Sequence, residues 1–142
     1  MRTVFVIMLP MKQSANAYQV KKSSAGLGLF ATTHFKKGDV VIEYTGEHIS
    51  HDEADRRGGR YLFTLSDSII IDGKDRKNIA RYINHACKPN CYAEIDENEE
   101  HICIFAKRAI KPGEEITFHY GAEYKKDIID PVGCKCATCL NT

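Results

Sequence analysis

Cys134-Lys135-Cys136-Ala137-Thr138-Cys139 sets three thiols within six residues. A disulfide across one or two intervening residues is geometrically awkward, whereas metal thiolates accept such spacing. The cluster therefore points to a zinc site in a reduced, intracellular protein; an incidental group of thiols is the plainer alternative. A closed structural zinc site takes four ligands, so one must come from elsewhere in the chain. Cys87, Cys91, Cys103 and the histidines are the available donors. Cys103 stands in an apolar run and reads as core. Cys91 opens a predicted strand. Cys87 lies in a loop and is the best candidate.

Three other runs carry reactive or recognising groups. Arg81-Tyr82-Ile83-Asn84-His85-Ala86-Cys87-Lys88-Pro89-Asn90-Cys91 packs amides, an imidazole and thiols beside a proline. Asn offers both a donor and an acceptor and His a ring nitrogen, which suits an adenine edge or an amino-acid moiety. A hydrogen-bonded buried turn would use the same groups. Gly26-Leu27-Gly28-Leu29-Phe30-Ala31 frees the backbone for close approach to a ligand. A tight turn between strands explains it equally simply, and without a third glycine opening a long helix it is no dinucleotide fingerprint. Glu114-Glu115-Ile116-Thr117-Phe118-His119-Tyr120-Gly121 ends an apolar strand on a tyrosine next to glycine. Tyr120 alone would read as an ordinary core or surface tyrosine.

Short β-strands must position these groups. Segments rich in Val, Ile, Phe and Tyr predict strands over 17–20, 29–31, 40–44, 61–65, 68–72, 92–95, 101–106 and 116–120. Turns fall at Lys37-Gly38-Asp39, Asp72-Gly73, Asp96-Glu97-Asn98 and Lys111-Pro112-Gly113. Ser50 followed by Glu53 signals a helix start, and Gly58-Gly59 its end. Residues 78–84 suit a second short helical turn. The expectation is one β-rich domain with minor helix and no repeat.

Composition narrows the function classes. The 142 residues fit one domain, and the net charge of +1 with scattered basic pairs argues against nucleic-acid binding. No apolar run reaches membrane-spanning length. Thr3–Pro10 is short and apolar; it reads as an edge strand or as residues preceding an internal start at Met11, and less well as a leader, because Lys12 interrupts it.

Taken together and in order, these motifs resemble the SET-domain family of protein-lysine methyltransferases, from about Tyr18 to Leu140. Gly26–Ala31 is similar to the family's opening glycine motif and Glu43-Tyr44-Thr45-Gly46-Glu47 to its second. Tyr61-Leu62-Phe63 and Ile71-Asp72-Gly73 resemble the strands before the central motif. Arg81–Cys91 matches the most specific motif almost letter for letter, Glu114–Gly121 the last one, and Cys134–Cys139 the zinc-binding post-SET tail.

The resemblance implies a SET-domain fold of small curved β-sheets with a knot-like threaded C-terminal segment. It implies an N-terminal extension over 1–17, a SET domain over 18–124 and a post-SET tail over 125–142. It implies S-adenosylmethionine held by Gly26, Leu27, Gly28, Leu29, Arg81, Asn84 and His85, with the substrate lysine entering a channel from the opposite face. Tyr120 would be the catalytic tyrosine, Tyr44 and Tyr61 would line the channel, and Phe118 would occupy the position that governs methyl number. Cys87, Cys134, Cys136 and Cys139 would bind zinc, and the tail would close over the cofactor. The partner would be a basic lysine-containing segment, a histone-like tail first of all, which places the protein in the nucleus or on chromosomes, or in the cytoplasm for another substrate. Homodimerisation would help complete so small a surface. Three features depart from the family pattern: His119 stands where aspartate is common, two residues rather than four separate the last cysteines, and no cysteine-rich pre-SET region precedes Tyr18. A non-catalytic SET-like module that binds peptides is the competing reading.

Overall fold

A computed structural model describes residues 17–140. The predictions for Thr3–Pro10 and for the extension up to residue 16 lie outside the described residues. The chain forms two compact units. Among the described residues the first comprises Val40–Arg81 and Ala93–Ile104, and the second comprises 17–39, Tyr82–Tyr92 and 105–140. Ten short strands and little helix among the described residues confirm the β-rich expectation. No described helix is long and apolar enough to cross a membrane.

The second unit is built on a hairpin. Strands β1 (Tyr18–Ser23) and β2 (Gly26–Ala31) pair antiparallel from Tyr18↔Ala31 to Ser23↔Gly26. The predicted turn at the glycines is corrected by one step: Ser24-Ala25 turns the chain, and both glycines belong to β2. Gly26 takes φ +98 at the exit of that turn, a conformation that side chains disfavour. β1 is an exposed edge protected by Lys21 and Lys22; Lys21 lies 4.5 Å over the Phe30 ring. Leu29 and Ala31 point into the core. β10 (Glu115–Phe118) adds antiparallel to β2, and β7 (Asn84–His85) adds parallel to β10, giving the order β1-β2-β10-β7. β7 is a correction to the helical turn predicted over 78–84. Only Ile79–Tyr82 is helical, as a 3₁₀ turn, and Asn84 and His85 are drawn into strand pairing with Thr117 and Phe118.

In the first unit β4 (Glu47–Ser50), unmarked by any alternation in the sequence, pairs with β6 (Ile69–Asp72), which also pairs with β5 (Leu62–Thr64). Helix α1 (His51–Arg57) starts and stops where predicted. Ser50 Oγ accepts the Glu53 backbone N–H at 3.1 Å, and Gly58 ends the helix at φ +61. Glu53's carboxylate turns instead to Arg56 and Arg57. Arg57 also donates to buried Asp72 (2.9 Å) and to Glu47 (3.0 Å), tying the helix to its sheet. Ile49, Ala54 and Ile70 form the small core beneath.

A third sheet has the order β3-β9-β8, from Val40–Tyr44, Ile102–Ala106 and Cys91–Ile95. All five residues of β9 are buried, which explains its unbroken apolar sequence. Cys103 is core, as expected, and Cys91 opens β8; burial pushes both thiols up to about 12, so neither is reactive. Beyond Tyr120 the chain is helical in short pieces that the sequence did not signal: α2 (Ala122–Tyr124), a π turn over Lys125–Ile129, a 3₁₀ turn over Asp130–Val132 and α3 (Ala137–Leu140). Their residues are largely exposed, so no apolar stripe betrays them.

Gly46 enters β4 with no room for a side chain: an added Cβ would lie 2.2 Å from the Asp72 carbonyl oxygen, which is backbone and cannot swing away. Gly46→Ala should therefore cost about 2–3 kcal/mol in urea unfolding. Gly59→Ala, at a site open to solvent, should stay within about 0.5 kcal/mol.

Candidate active site and metal centre

Asn84 is the hub of the second unit's polar groups. Its Nδ2 lies within donating distance of the Leu27 carbonyl (2.9 Å), Ser23 Oγ (3.0 Å) and Glu115 Oε2 (2.9 Å). Gly28 admits this gathering, because a Cβ there would sit 2.5 Å from Glu115 Oε2 and 3.1 Å from Asn84 Nδ2. The glycine motif and the Asn-His pair are thus joined directly. Asn90, almost fully buried, braces the same strand: Thr117 N–H donates to its Oδ1 (3.0 Å), and its Nδ2 donates to the Glu115 carbonyl (2.8 Å).

His85 follows on the same strand. Tyr120's backbone N–H donates to His85 Nδ1 (3.1 Å), and the Tyr120 hydroxyl donates to the Ile83 carbonyl (2.5 Å). The strand predicted to run to Tyr120 ends at Phe118, and the Tyr120 backbone N–H is taken by a side chain rather than by a strand neighbour. Burial, with some help from the His119 charge, holds the His85 imidazole down at about 4, so it is neutral at pH 7. Aromatic rings surround Tyr120: Phe118 at 5.1 Å, Tyr124 at 5.4 Å and His85 at 5.5 Å. His119 stands edge-on to His85 at 4.5 Å, and its Nδ1 accepts the Gly121 N–H (2.9 Å).

Cys87, Cys134, Cys136 and Cys139 converge, with all four sulfurs within 4.8 Å of one another. The Cys87 sulfur lies 3.5 Å from Cys139 and 4.0 Å from Cys134. A tetrahedral zinc with bonds of about 2.3 Å needs sulfurs about 3.8 Å apart. The donor set and its spacing therefore fit zinc, and the loop cysteine is the fourth member. Burial works against ionisation of Cys136, yet backbone N–H groups of Cys87 and Cys139 aimed at its sulfur bring it down to about 6. The neighbouring thiols push Cys139 up to about 12, and burial raises Cys87. Those backbone N–H groups favour the thiolate form of Cys136, the form that binds metal. The tail is pinned to the hairpin turn where Ser24 Oγ donates to the Lys135 carbonyl (2.6 Å).

An open cleft of about 230 Å³ lies where these parts meet, lined by Ser24, Ala25, Asn84, His85, Lys88, Glu115 and Thr138 among others. Of the predicted cofactor residues, Gly26, Leu27, Gly28, Leu29, Asn84 and His85 are gathered in this unit. Arg81 closes the first unit, where its guanidinium lies 4.3 Å over the Tyr61 ring. Tyr44 and Tyr61 also belong to that unit. Tyr44 is buried, its hydroxyl donates to the Tyr61 carbonyl (2.7 Å), and its ring packs on Phe63 and against Gly73. Glu115, Ser23 and Asn90 were not singled out from the sequence. Ser23 carries no signal there, and the other two are polar residues inside motifs whose roles depend on partners 25 to 31 positions away.

Comparison with known proteins agrees with this arrangement. The SET domain family model matches residues 26–121. The H3 lysine-4 specific histone-lysine N-methyltransferase of Schizosaccharomyces pombe is 43% identical over 124 residues, covering 80% of this chain and 13% of the relative. MEDEA, a histone-lysine N-methyltransferase of Arabidopsis thaliana, is 43% identical over 109 residues, covering 70% of this chain and 16% of its own length. A crystal structure of active polycomb repressive complex 2 in the stimulated state superposes with a TM-score of 0.70 at 40% identity, over 81% of this chain and 16% of that one. A second, ctPRC2 in an autoinhibited conformation bound to S-adenosylmethionine, gives 0.67 at 42% identity, over 76% and 15%. The chain thus spans less than a fifth of the length of these relatives. Motif order, the hub at Asn84 and the family match lead to one conclusion: this chain belongs to the SET domain family.

Proposed function

We propose that the protein is an S-adenosylmethionine-dependent protein-lysine N-methyltransferase whose substrate is a basic, lysine-bearing segment of histone type. The observation that carries this reading is the meeting of the Ser24-Ala25 turn, Asn84-His85, Glu115 and the tail's Cys136 around one cleft, with Leu27 bonded to Asn84, Tyr120 bonded to His85 and Cys136 grouped with the other three cysteines. The histone-lysine methyltransferase names of the relatives support the substrate class and a place in the nucleus. The SET part runs over 18–124 and the post-SET tail over 125–142.

When bound, S-adenosylmethionine supplies an electrophilic methyl group on a cationic sulfur. The Leu27 carbonyl, Glu115 and Ser23 offer acceptors beside Asn84, suited to an ammonium or amide donor. We assign Gly26, Leu27, Gly28, Leu29, Asn84 and His85 to this ligand, with Arg81 a further candidate. Tyr44 and Tyr61 are assigned to the lysine channel. The acceptor lysine must be neutral, which costs about 4.6 kcal/mol at pH 7 from a free pKa of about 10.4. Phe118, Tyr124 and the Tyr120 ring make an aromatic setting that disfavours an ammonium. Tyr120's proton is committed to the Ile83 carbonyl, so its oxygen turns lone pairs outward. It acts by orientation and electrostatics rather than as a base, and the lysine proton leaves to water beforehand. Cys87, Cys134, Cys136 and Cys139 would hold zinc, which would crosslink the tail to the Asn84–Cys87 segment.

Three measurements test this. Tritiated-methyl transfer to histone protein should fall about 10²-fold in Tyr120→Phe, with S-adenosylmethionine binding by calorimetry little changed; equal rates would remove Tyr120 from the chemistry. Phe118→Tyr places a hydroxyl where added methyl groups must fit, so mass spectrometry of the product should shift from di- and trimethyl-lysine towards monomethyl-lysine. Chelation, or Cys136→Ser, should abolish transfer while far-UV circular dichroism keeps its β signal.

A further inference from the structure

The structure places one side chain on both the metal cluster and the tyrosine. We propose that His85 is a positioning residue that couples metal loading at Cys87 to the placement of Tyr120. The proposal rests on the reading of Tyr120 as the catalytic residue, but the link itself is a matter of hydrogen bonding within the second unit.

His85 Nδ1 accepts the Tyr120 backbone N–H at 3.1 Å. An accepting ring nitrogen carries no proton, so the ring's N–H stands on Nε2. Nε2 lies 3.6 Å from Cys87 Sγ, within the range of a bond to sulfur. The ring therefore stands in a directed chain: Tyr120 N–H to Nδ1, then Nε2–H to the Cys87 sulfur. It is fixed in orientation by burial, by the His119 ring edge-on at 4.5 Å and by the pairing of its own backbone with Phe118. Tyr120 is consequently held at both ends by one short segment, its hydroxyl by Ile83 and its amide by His85.

The last link depends on the state of the sulfur. A metal bound to Cys87 holds that sulfur in one place beside Nε2, so the ring's outer nitrogen keeps a fixed partner. Hydrogen bonds in series reinforce one another, so a stronger Nε2–H···S bond makes Nδ1 a better acceptor for Tyr120. Loading thus fixes ring orientation and tautomer, and with them the backbone that carries the phenol. Partners of this kind around a metal commonly change its affinity 10–100-fold.

Two substitutions divide the chain of bonds. His85→Asn keeps an acceptor near Nδ1 and loses the donor to sulfur. His85→Gln carries an amide donor out to the place of Nε2 and loses the acceptor for Tyr120. The probe is zinc alone, followed by ¹⁵N NMR and by competition with a chromophoric chelator, without methyl transfer. In the wild type, zinc should shift the Tyr120 amide resonance and slow its hydrogen exchange at least about tenfold, with the imidazole ¹⁵N pair reporting the Nε2–H tautomer. His85→Asn should weaken zinc about tenfold and leave the Tyr120 amide insensitive to metal. His85→Gln should keep zinc within about threefold and lose Tyr120 protection. If metal removal unfolds the unit, cadmium replaces zinc, and the Tyr120 shift should then differ between the two metals in wild type but not in His85→Asn. An unchanged Tyr120 amide across metal states in the wild type, or an Nδ1–H tautomer, would overturn the proposal. Loss of methyl transfer with the coupling intact would count against the proposed enzyme and leave this link standing.

Discussion

The parallel pairing of Asn84 with Thr117 and His85 with Phe118 is the constraint on which the second unit turns. It is only two residues long, yet it brings three distant motifs to one place. Asn84 faces the glycine strand and takes the Leu27 carbonyl and Glu115. His85 faces the other way and takes the Tyr120 amide. Cys87, two residues on, joins the tail cysteines. A pairing that short would be marginal alone, and the buried side chain of Asn90, bridging Thr117 and Glu115, supplies what backbone pairing lacks.

Such an arrangement makes local polar bonds do the work usually left to apolar packing. The described tail beyond Tyr120 has few buried residues, and Ile128, Val132 and Leu140 are exposed. The meeting of sulfurs, the Ser24–Lys135 bond and the Tyr124 ring against Tyr120 hold it to the rest of the unit, and a Lys125–Asp130 ion pair lies within it. The ion pair is exposed and contributes little. A metal crosslink is therefore the physically economical way to fix this tail, since metal binding and local folding are then the same event.

The first unit follows a different logic. Arg57 sits among Glu47, Glu53 and Asp72, and of these Asp72 is almost fully buried. A buried carboxylate without a cation would be costly, so the helix and the sheet it covers are bound to one another through charge. Gly46 and Gly73 let backbone and the Tyr44 ring approach more closely than any side chain would permit.

Features set by neighbours in the chain were legible in the sequence. The cap at Ser50 and stop at Gly58 depend on groups within a few residues, the apolar run of β9 announces burial on both faces, and the spacing of Cys134, Cys136 and Cys139 disfavours a disulfide between them and points to metal. Motif order was enough for the family. Contacts that span the chain were decided only by the tertiary structure. Asn84 reads as the end of a helical turn until β10 offers it and His85 partners 33 residues away, and β4 exists only because β6 pairs with it. Glu115 becomes part of the site because Gly28, far back in the chain, leaves space for its carboxylate. Propensity and capping are local energies carried by adjacent residues, whereas strand pairing and side-chain bridges gain their energy only once loop closure has brought remote segments together.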